Sequence, residues 1–218
     1  MQKVVGLVGL RGSGKDTAAQ FLVAQGWRRI AFADALYIEV AEAFGVTVEF
    51  LQRRDTKETP LPELSLIHCK DEMFVGCYLA YEDAQLAKEG RKESPATQLT
   101  KARSPREILQ VWGTEYRRMM VSDDYWRDQV FKAISAHPDT NFVITDVRFP
   151  DEAKLVETGL NGALGRIVRP ALAGSTDKAL LHASEVSMLD YPIENVFINE
   201  EGEEGLARFK AAVIKTFH

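Results

Sequence analysis

The segment Gly9-Leu10-Arg11-Gly12-Ser13-Gly14-Lys15 has the spacing GxxxxGK. Glycines at those intervals let consecutive backbone amides turn toward one phosphate group, a helix beginning there adds its positive end, and Lys15 reaches the outer phosphates. Arg11, Gly12, Ser13 and Gly14 are therefore candidate phosphate contacts beside Lys15, against the competing reading of a glycine-rich turn with an incidental lysine. The hydroxyl that usually follows the lysine and meets Mg²⁺ is replaced by Asp16, and a hydroxyl comes only at Thr17. Either residue can hold the ion directly or through water, because Mg²⁺ takes hard oxygen ligands and keeps several waters. Asp16 equally suits plain compensation of a helix dipole in a first turn.

Two more groups of residues have types suited to phosphate chemistry. Phe142-Val143-Ile144-Thr145-Asp146 ends an apolar run on a carboxylate, where open α/β sheets put ligand chemistry and where a Walker-B-type acid belongs; turn formation is the ordinary alternative. Arg148 can reach the same point, or can be a solvated surface arginine. Arg106, Gln110, Gly113 or Thr114, and Arg117 recur every three or four residues, which sets them on one helix face. Guanidinium forks match phosphate oxygens two at a time, so this stripe suits a small anion that carries a polar ring. A charged solvated face is the bland version of the same pattern. Arg169 precedes a small-residue stretch, Ala171 to Lys178, that can act as a lid over a nucleotide, with His182 and Glu185 fixing it. Trp112, Tyr116, Tyr125 and Trp126 are core-type aromatics, of which one, Trp126, is assigned to ligand contact. His68, Cys69 and Cys77 lack a fourth ligand at metal spacing.

Elements must position these residues. Lys3 to Gly9 is a β-rich apolar run, and Lys15 to Gln25 has helical periodicity, so the glycine segment falls between a strand and a helix. Trp27 to Ala33 reads as a second strand, followed by a helix from Asp34 to Phe44 that sets Leu36, Val40, Ala43 and Phe44 on one side. Ser104-Pro105-Arg106-Glu107 is a helix start with the composition of a capping box, running to about Met120. Ser122-Asp123-Asp124 opens another, with Trp126, Val130 and Ile134 on its buried side. Asn141 to Thr145, Ala163 to Arg169 and Val196 to Ile198 complete the strands, and Glu203 to Phe217 is the last helix. Strands alternating with helices imply an α/β fold, a parallel doubly wound sheet in three layers. The expected organisation is a single domain over 1–218. Residues 55–103, with Pro60, Pro62 and Pro95, form an inserted, partly helical, mobile region, and 170–183 is the lid loop.

Composition bounds the partners. The 218 residues are 45% hydrophobic, enough for a well-formed core. Lys plus Arg is 27 against 32 for Asp plus Glu, a formal charge of −5 that argues against a nucleic acid polymer as partner. No apolar run approaches the roughly 18 residues of a membrane span, and Met1 to Leu10 lacks the layout of a secretory signal. Two cysteines do not make a disulfide scaffold, so a reducing, cytoplasmic setting is expected.

Five blocks together resemble the bacteriophage-type deoxynucleoside monophosphate kinases: Gly12-Ser-Gly-Lys-Asp-Thr17, Phe32-Ala-Asp34, Ser104-Pro-Arg-Glu-Ile-Leu-Gln-Val-Trp-Gly-Thr-Glu115, Thr145-Asp-Val-Arg-Phe-Pro150 with Asp151-Glu-Ala153, and His182-Ala-Ser-Glu185. The resemblance implies a P-loop kinase fold and transfer of the γ-phosphoryl of ATP to a deoxynucleoside 5′-monophosphate, in dNTP supply, by a homodimer. It puts Lys15, Asp16 and Thr17 at ATP and Mg²⁺, Asp34 near the acceptor, Arg106 and Gln110 on the acceptor helix, and Asp146 with Arg148. Tyr37 departs from it, standing where relatives often have lysine.

A nucleoside monophosphate is largely dianionic near neutrality, since its second pKa is about 6, so its attacking oxygen needs no general base. It needs charge screening, and Arg106, Arg117, Arg148 and Arg169 are the candidates beside Lys15. Two rivals stand beside this reading. An alcohol kinase of the dephospho-coenzyme A or nucleoside type would use Asp34 as base. A nucleotide-dependent switch is the other, although the strings Asp-x-x-Gly and Asn-Lys-x-Asp do not occur.

Overall fold

The structure, a computed structural model, describes residues 2–173 and 187–218. The expected lid lies outside them from residue 174 onward, as do His182 and Glu185. Strands β1 (Val4–Val8), β2 (Arg28–Ile30), β3 (Phe142–Ile144), β4 (Ala163–Val168) and β5 (Asn195–Ile198) are joined by helices α1 (Lys15–Val23), α2 (Phe32–Phe44), α3 (Val48–Gln52), α4 (Glu72–Lys88), α5 (Pro95–Thr100), α6 (Pro105–Val111), α7 (Tyr125–Ser135) and α8 (Pro150–Lys154). A helical turn, Pro170–Ala173, and a C-terminal helix, Gly202–Phe217, follow. No helix among the described residues is long and apolar enough to cross a membrane.

The chain forms two compact units, one of Met1–Phe32 with Arg127–His218 and one of Ala33–Trp126. The first holds the sheet, all parallel in the order β2-β3-β1-β4-β5. Side chains alternate across a strand, and here both faces are apolar. Val5, Leu7, Val143 and Ile167 pack with Ala18 and Leu22 of α1 and with Phe209, Val213 and Phe217 of the C-terminal helix. Val4, Val8, Phe142, Ile144 and Leu164 pack on the other side with Val130, Ile134, Ala153 and Val156. The expected α/β, doubly wound parallel sheet in three layers follows from this double burial. One boundary differs. The second strand ends at Ile30, three residues early, and α2 begins at Phe32, because Asp146 Oδ1 accepts the Phe32 N–H at 2.8 Å and caps that helix.

The second unit has its own core, in which Val40, Phe44, Leu51, Leu64, Leu66, Phe74, Ile108 and Trp112 are buried together. It is wider than the stretch 55–103 that the sequence set apart. Phe74 of α4 stacks on Trp112 with ring centroids 4.4 Å apart, so α4 shares a core with α2 and α6. Arg103 is 1% exposed: its Nη2 donates to Glu82 Oε2 at 2.6 Å and to Gln98 O at 2.7 Å, and its guanidinium lies 4.5 Å from the centre of the Tyr78 ring. That buried pair ties α4 and α5 to the start of α6. The capping box forms: Ser104 N donates to Glu107 Oε2 at 2.7 Å, and Glu107 N donates to Ser104 Oγ at 3.3 Å.

Candidate active site

The glycine loop follows β1 and runs into α1. Gly14, the N-cap of α1, has φ +105°, and any side chain there would collide with the Asn199 amide. At Gly9, φ +153°, a Cβ would stand 2.5 Å from Ile167 O. Only glycine fits both the backbone conformation and the space at these two positions. Lys15 turns back over the loop, its Nζ donating to Gly9 O at 2.7 Å and Leu10 O at 2.9 Å. Ser13 is 1% exposed, and its Oγ is a buried polar atom with no hydrogen-bond partner. Buried hydroxyls are ordinarily satisfied, so this one points to a ligand atom. Together with the oxygens of Asp16, exposed, and Thr17, half-buried, in the next turn, the loop fits an Mg²⁺-bound polyphosphate. Arg11 and Gly12 are exposed on the rim. Arg169, after β4, forms a surface pair with Glu201 at 3.4 Å.

Asn199 was not singled out from sequence. It follows β5 as Asp146 follows β3. Its backbone N–H donates to Val168 O and its Nδ2 to Ser13 O, each at 2.8 Å, so it pins the loop to the sheet. Its position as a polar residue just past the C-terminal end of a parallel strand is the signal that could have found it.

After β3, Asp146 is half-buried and Arg148 exposed. Glu152, in the first turns of α8, accepts the N–H of Arg148 at 2.7 Å and of Phe149 at 3.1 Å through one oxygen. Burial pushes its carboxyl up to about 7; the Arg148 N–H works against that and the Asp146 charge adds to it.

In the second unit, Arg106 is exposed, forms an ion pair with Glu58 and donates its backbone N–H to Lys57 O at 3.1 Å. Gln110 and Thr114 are exposed as well. Arg117 does not continue the stripe. After α6 the helix widens into π-type turns from Trp112 to Met119, and i→i+5 bonding breaks the three-to-four spacing that an α-helix would have kept. Gly113 is buried against Leu36. Arg117 Nε donates to Glu39 Oε2 at 2.7 Å, and its guanidinium lies 4.3 Å from the Tyr116 ring centre and 5.1 Å from that of Tyr125. Burial works against this charge and Glu39 outweighs it, holding the guanidinium above its ordinary range. Glu39 also accepts from Trp112 Nε1 at 2.9 Å and from Tyr125 Oη at 2.6 Å. Trp126, expected at the ligand, is a core residue: it is 5% exposed and its indole N–H is taken by Gly113 O at 3.1 Å. Asp34 is half-buried in the first turn of α2.

The candidates therefore sort by unit. Lys15, Asp16, Thr17, Asp146, Arg148 and Arg169 belong to the unit with the sheet, and Asp34, Arg106, Gln110, Thr114, Arg117 and Trp126 to the other.

No protein-family model matches the chain. Curated relatives do. The deoxynucleoside-5′-monophosphate kinase of Escherichia phage T5 is 31% identical over 185 residues, covering 72% of each chain. A protein of Acanthamoeba polyphaga mimivirus, provisionally named a deoxynucleotide monophosphate kinase, is 28% identical over 202 residues, covering 85% of this chain and 81% of its own. Among solved structures, a dephospho-CoA kinase from Campylobacter jejuni superposes over 99% of this chain and 96% of its own at 12% identity, with a TM-score of 0.49, a likeness too loose to bear on function. With the glycine loop, its lysine and the parallel sheet in place, the kinship to the phage enzyme makes this chain a P-loop phosphotransferase that belongs to the bacteriophage-type deoxynucleoside monophosphate kinase family.

Proposed function

We propose that the protein transfers the γ-phosphoryl group of ATP to a deoxynucleoside 5′-monophosphate, giving dNDP and ADP. The observation that carries this reading is the glycine loop, with Lys15 over its carbonyls and the orphaned Ser13 hydroxyl, in a chain of this family. The unit with the sheet is the ATP side, and Ala33–Trp126 is the acceptor side. Lys15 and the loop amides bind the phosphates, and Asp16 or Thr17 holds Mg²⁺, which when bound offsets phosphate charge. The acceptor phosphate, a dianion near neutrality, needs no base. Catalysis is then positioning and charge compensation.

The ion pairs rank the arginines. Arg106 is paired with an exposed carboxylate, and exposed pairs are worth at most about 1 kcal/mol, so exchanging Glu58 for a phosphate costs little. Arg148 is exposed on the segment that carries Asp146. Arg117, enclosed by Glu39 and aromatic rings, is a poorer candidate for direct contact and a better one for holding the acceptor helix.

A coupled ADP-release assay with Mg²⁺ and ATP, across the four dNMPs and matching NMPs, tests the proposal. Stoichiometric ADP release that depends on added dNMP is expected, whereas slow hydrolysis indifferent to dNMP would reject it in favour of a switch. The Asp34→Asn variant separates acceptors: it should retain turnover, and near-total loss with nucleotide binding intact would favour an alcohol acceptor instead.

A further inference from the structure

The segment between β3 and α8 carries Asp146 and Arg148, and one buried side chain holds its backbone. Glu152 is 5% exposed and gathers the N–H groups of Arg148 and Phe149 onto a single carboxylate oxygen. Capping alone does not account for it. In a capping box the third-position glutamate answers a hydroxyl or carboxylate at the N-cap, whereas the N-cap here is Phe149, which has no side-chain oxygen. Moreover, only the Phe149 N–H belongs to the N-cap; the Arg148 N–H lies one residue upstream, in the loop itself. Burying a carboxylate is costly, so a role beyond capping the start of a helix is called for. Ser187 Oγ, donating to Arg148 O at 3.3 Å, holds the same peptide segment by its carbonyl.

We propose that Glu152 is a positioning residue for phosphoryl transfer: by holding two consecutive backbone N–H groups it fixes the 146–149 segment and so the directions in which Asp146 and Arg148 are presented. The proposal rests on the reading that those two residues serve the transfer. What matters is reach. A glutamine at 152 keeps the chain length and a carbonyl oxygen able to accept both N–H groups; an aspartate keeps the charge but falls one methylene short; an alanine keeps neither.

The test uses Glu152→Gln, Glu152→Asp and Glu152→Ala in the full chain, with two readouts. The first needs no substrate: exchange of the Arg148 and Phe149 amides should remain slow in wild type and Glu152→Gln and quicken about tenfold or more in the Asp and Ala variants. The second is dNMP-dependent ADP release: kcat should fall about 10- to 100-fold in the Asp and Ala variants with KM for ATP little changed, while Glu152→Gln stays near wild type. If Glu152→Ala fails to fold, the Gln and Asp pair decides. A Glu152→Asp enzyme with wild-type kcat, a Glu152→Gln enzyme as slow as Glu152→Asp, or unchanged amide exchange would each overturn the assignment while wild type still turns over. A wild-type protein without dNMP-dependent turnover would instead bring down the kinase reading, and the role of Glu152 with it.

Discussion

The glycine loop and the helix from Ser104 both carry cationic side chains, yet these are held in different ways. The loop is held by backbone: glycines at positions where a Cβ would strike Ile167 O or Asn199, main-chain carbonyls under Lys15, and an asparagine that bonds Ser13 O. The arginines of the helix from Ser104 are held by side-chain partners: Arg106 by Glu58, Arg117 by Glu39 and the aromatic rings around it. Backbone is fixed whatever binds, whereas a side-chain ion pair can be traded for a ligand. Under the proposed function, a preorganised donor loop and an exchangeable acceptor set would divide the work of phosphoryl transfer, since only the acceptor set must read a particular nucleotide.

The sharpest way to break the contrast is Lys15→Ala. It removes the charge over the loop and leaves the glycine backbone intact, so kcat should fall at least about 100-fold with the unfolding midpoint preserved, as read by coupled assay and thermal melt. Glu39→Ala should do the reverse. It strips the acceptor from Trp112 Nε1, Tyr125 Oη and Arg117 Nε at once, and because this site is only partly exposed the loss is about 2–3 kcal/mol, read by urea unfolding. Burial likewise raises the Tyr125 hydroxyl, to about 12, with the Glu39 hydrogen bond adding to it, so this hydroxyl keeps its proton through neutral pH.

Glu152 gives a pH signature to the backbone-held side. Its carboxyl is raised from an ordinary 4.5 to about 7, so the folded state retains a proton that the unfolded state releases between those values. The stabilisation is therefore full below about 4.5 and is lost as pH rises through about 7. Midpoints measured across this window should decline more steeply with pH in wild type than in Glu152→Gln. Arg106→Ala is the mildest. Its exposed pair should alter stability by less than about 1 kcal/mol, while KM for the monophosphate rises about tenfold and KM for ATP stays put.

Local patterns made much of this legible. The glycine spacing, the apolar run ending at Asp146 and the Ser104 capping box each depend on residues a few positions apart, and each forms. Helix α4 was harder to read. Its buried positions Phe74, Tyr78 and Leu86 recur at helical intervals, but Glu82 occupies the same face, and a charge in an apolar stripe reads as a break until Arg103, 21 residues on, neutralises it. Arg117 misled in the opposite sense, because an α-helical stripe drawn through it presumes spacing that the π-type turns do not keep.

The sequence by itself determined the five strands of the sheet, the glycine spacing at Gly9 to Lys15 and, through resemblance, the family. Tertiary structure alone decided which distant groups meet: Asn199 on the loop, Glu39 on Arg117, and the extent of the unit Ala33–Trp126. Spacing along a chain fixes which side chains share a strand or helix face, but the partner that neutralises a charge or holds a backbone group is chosen by packing between segments far apart in sequence.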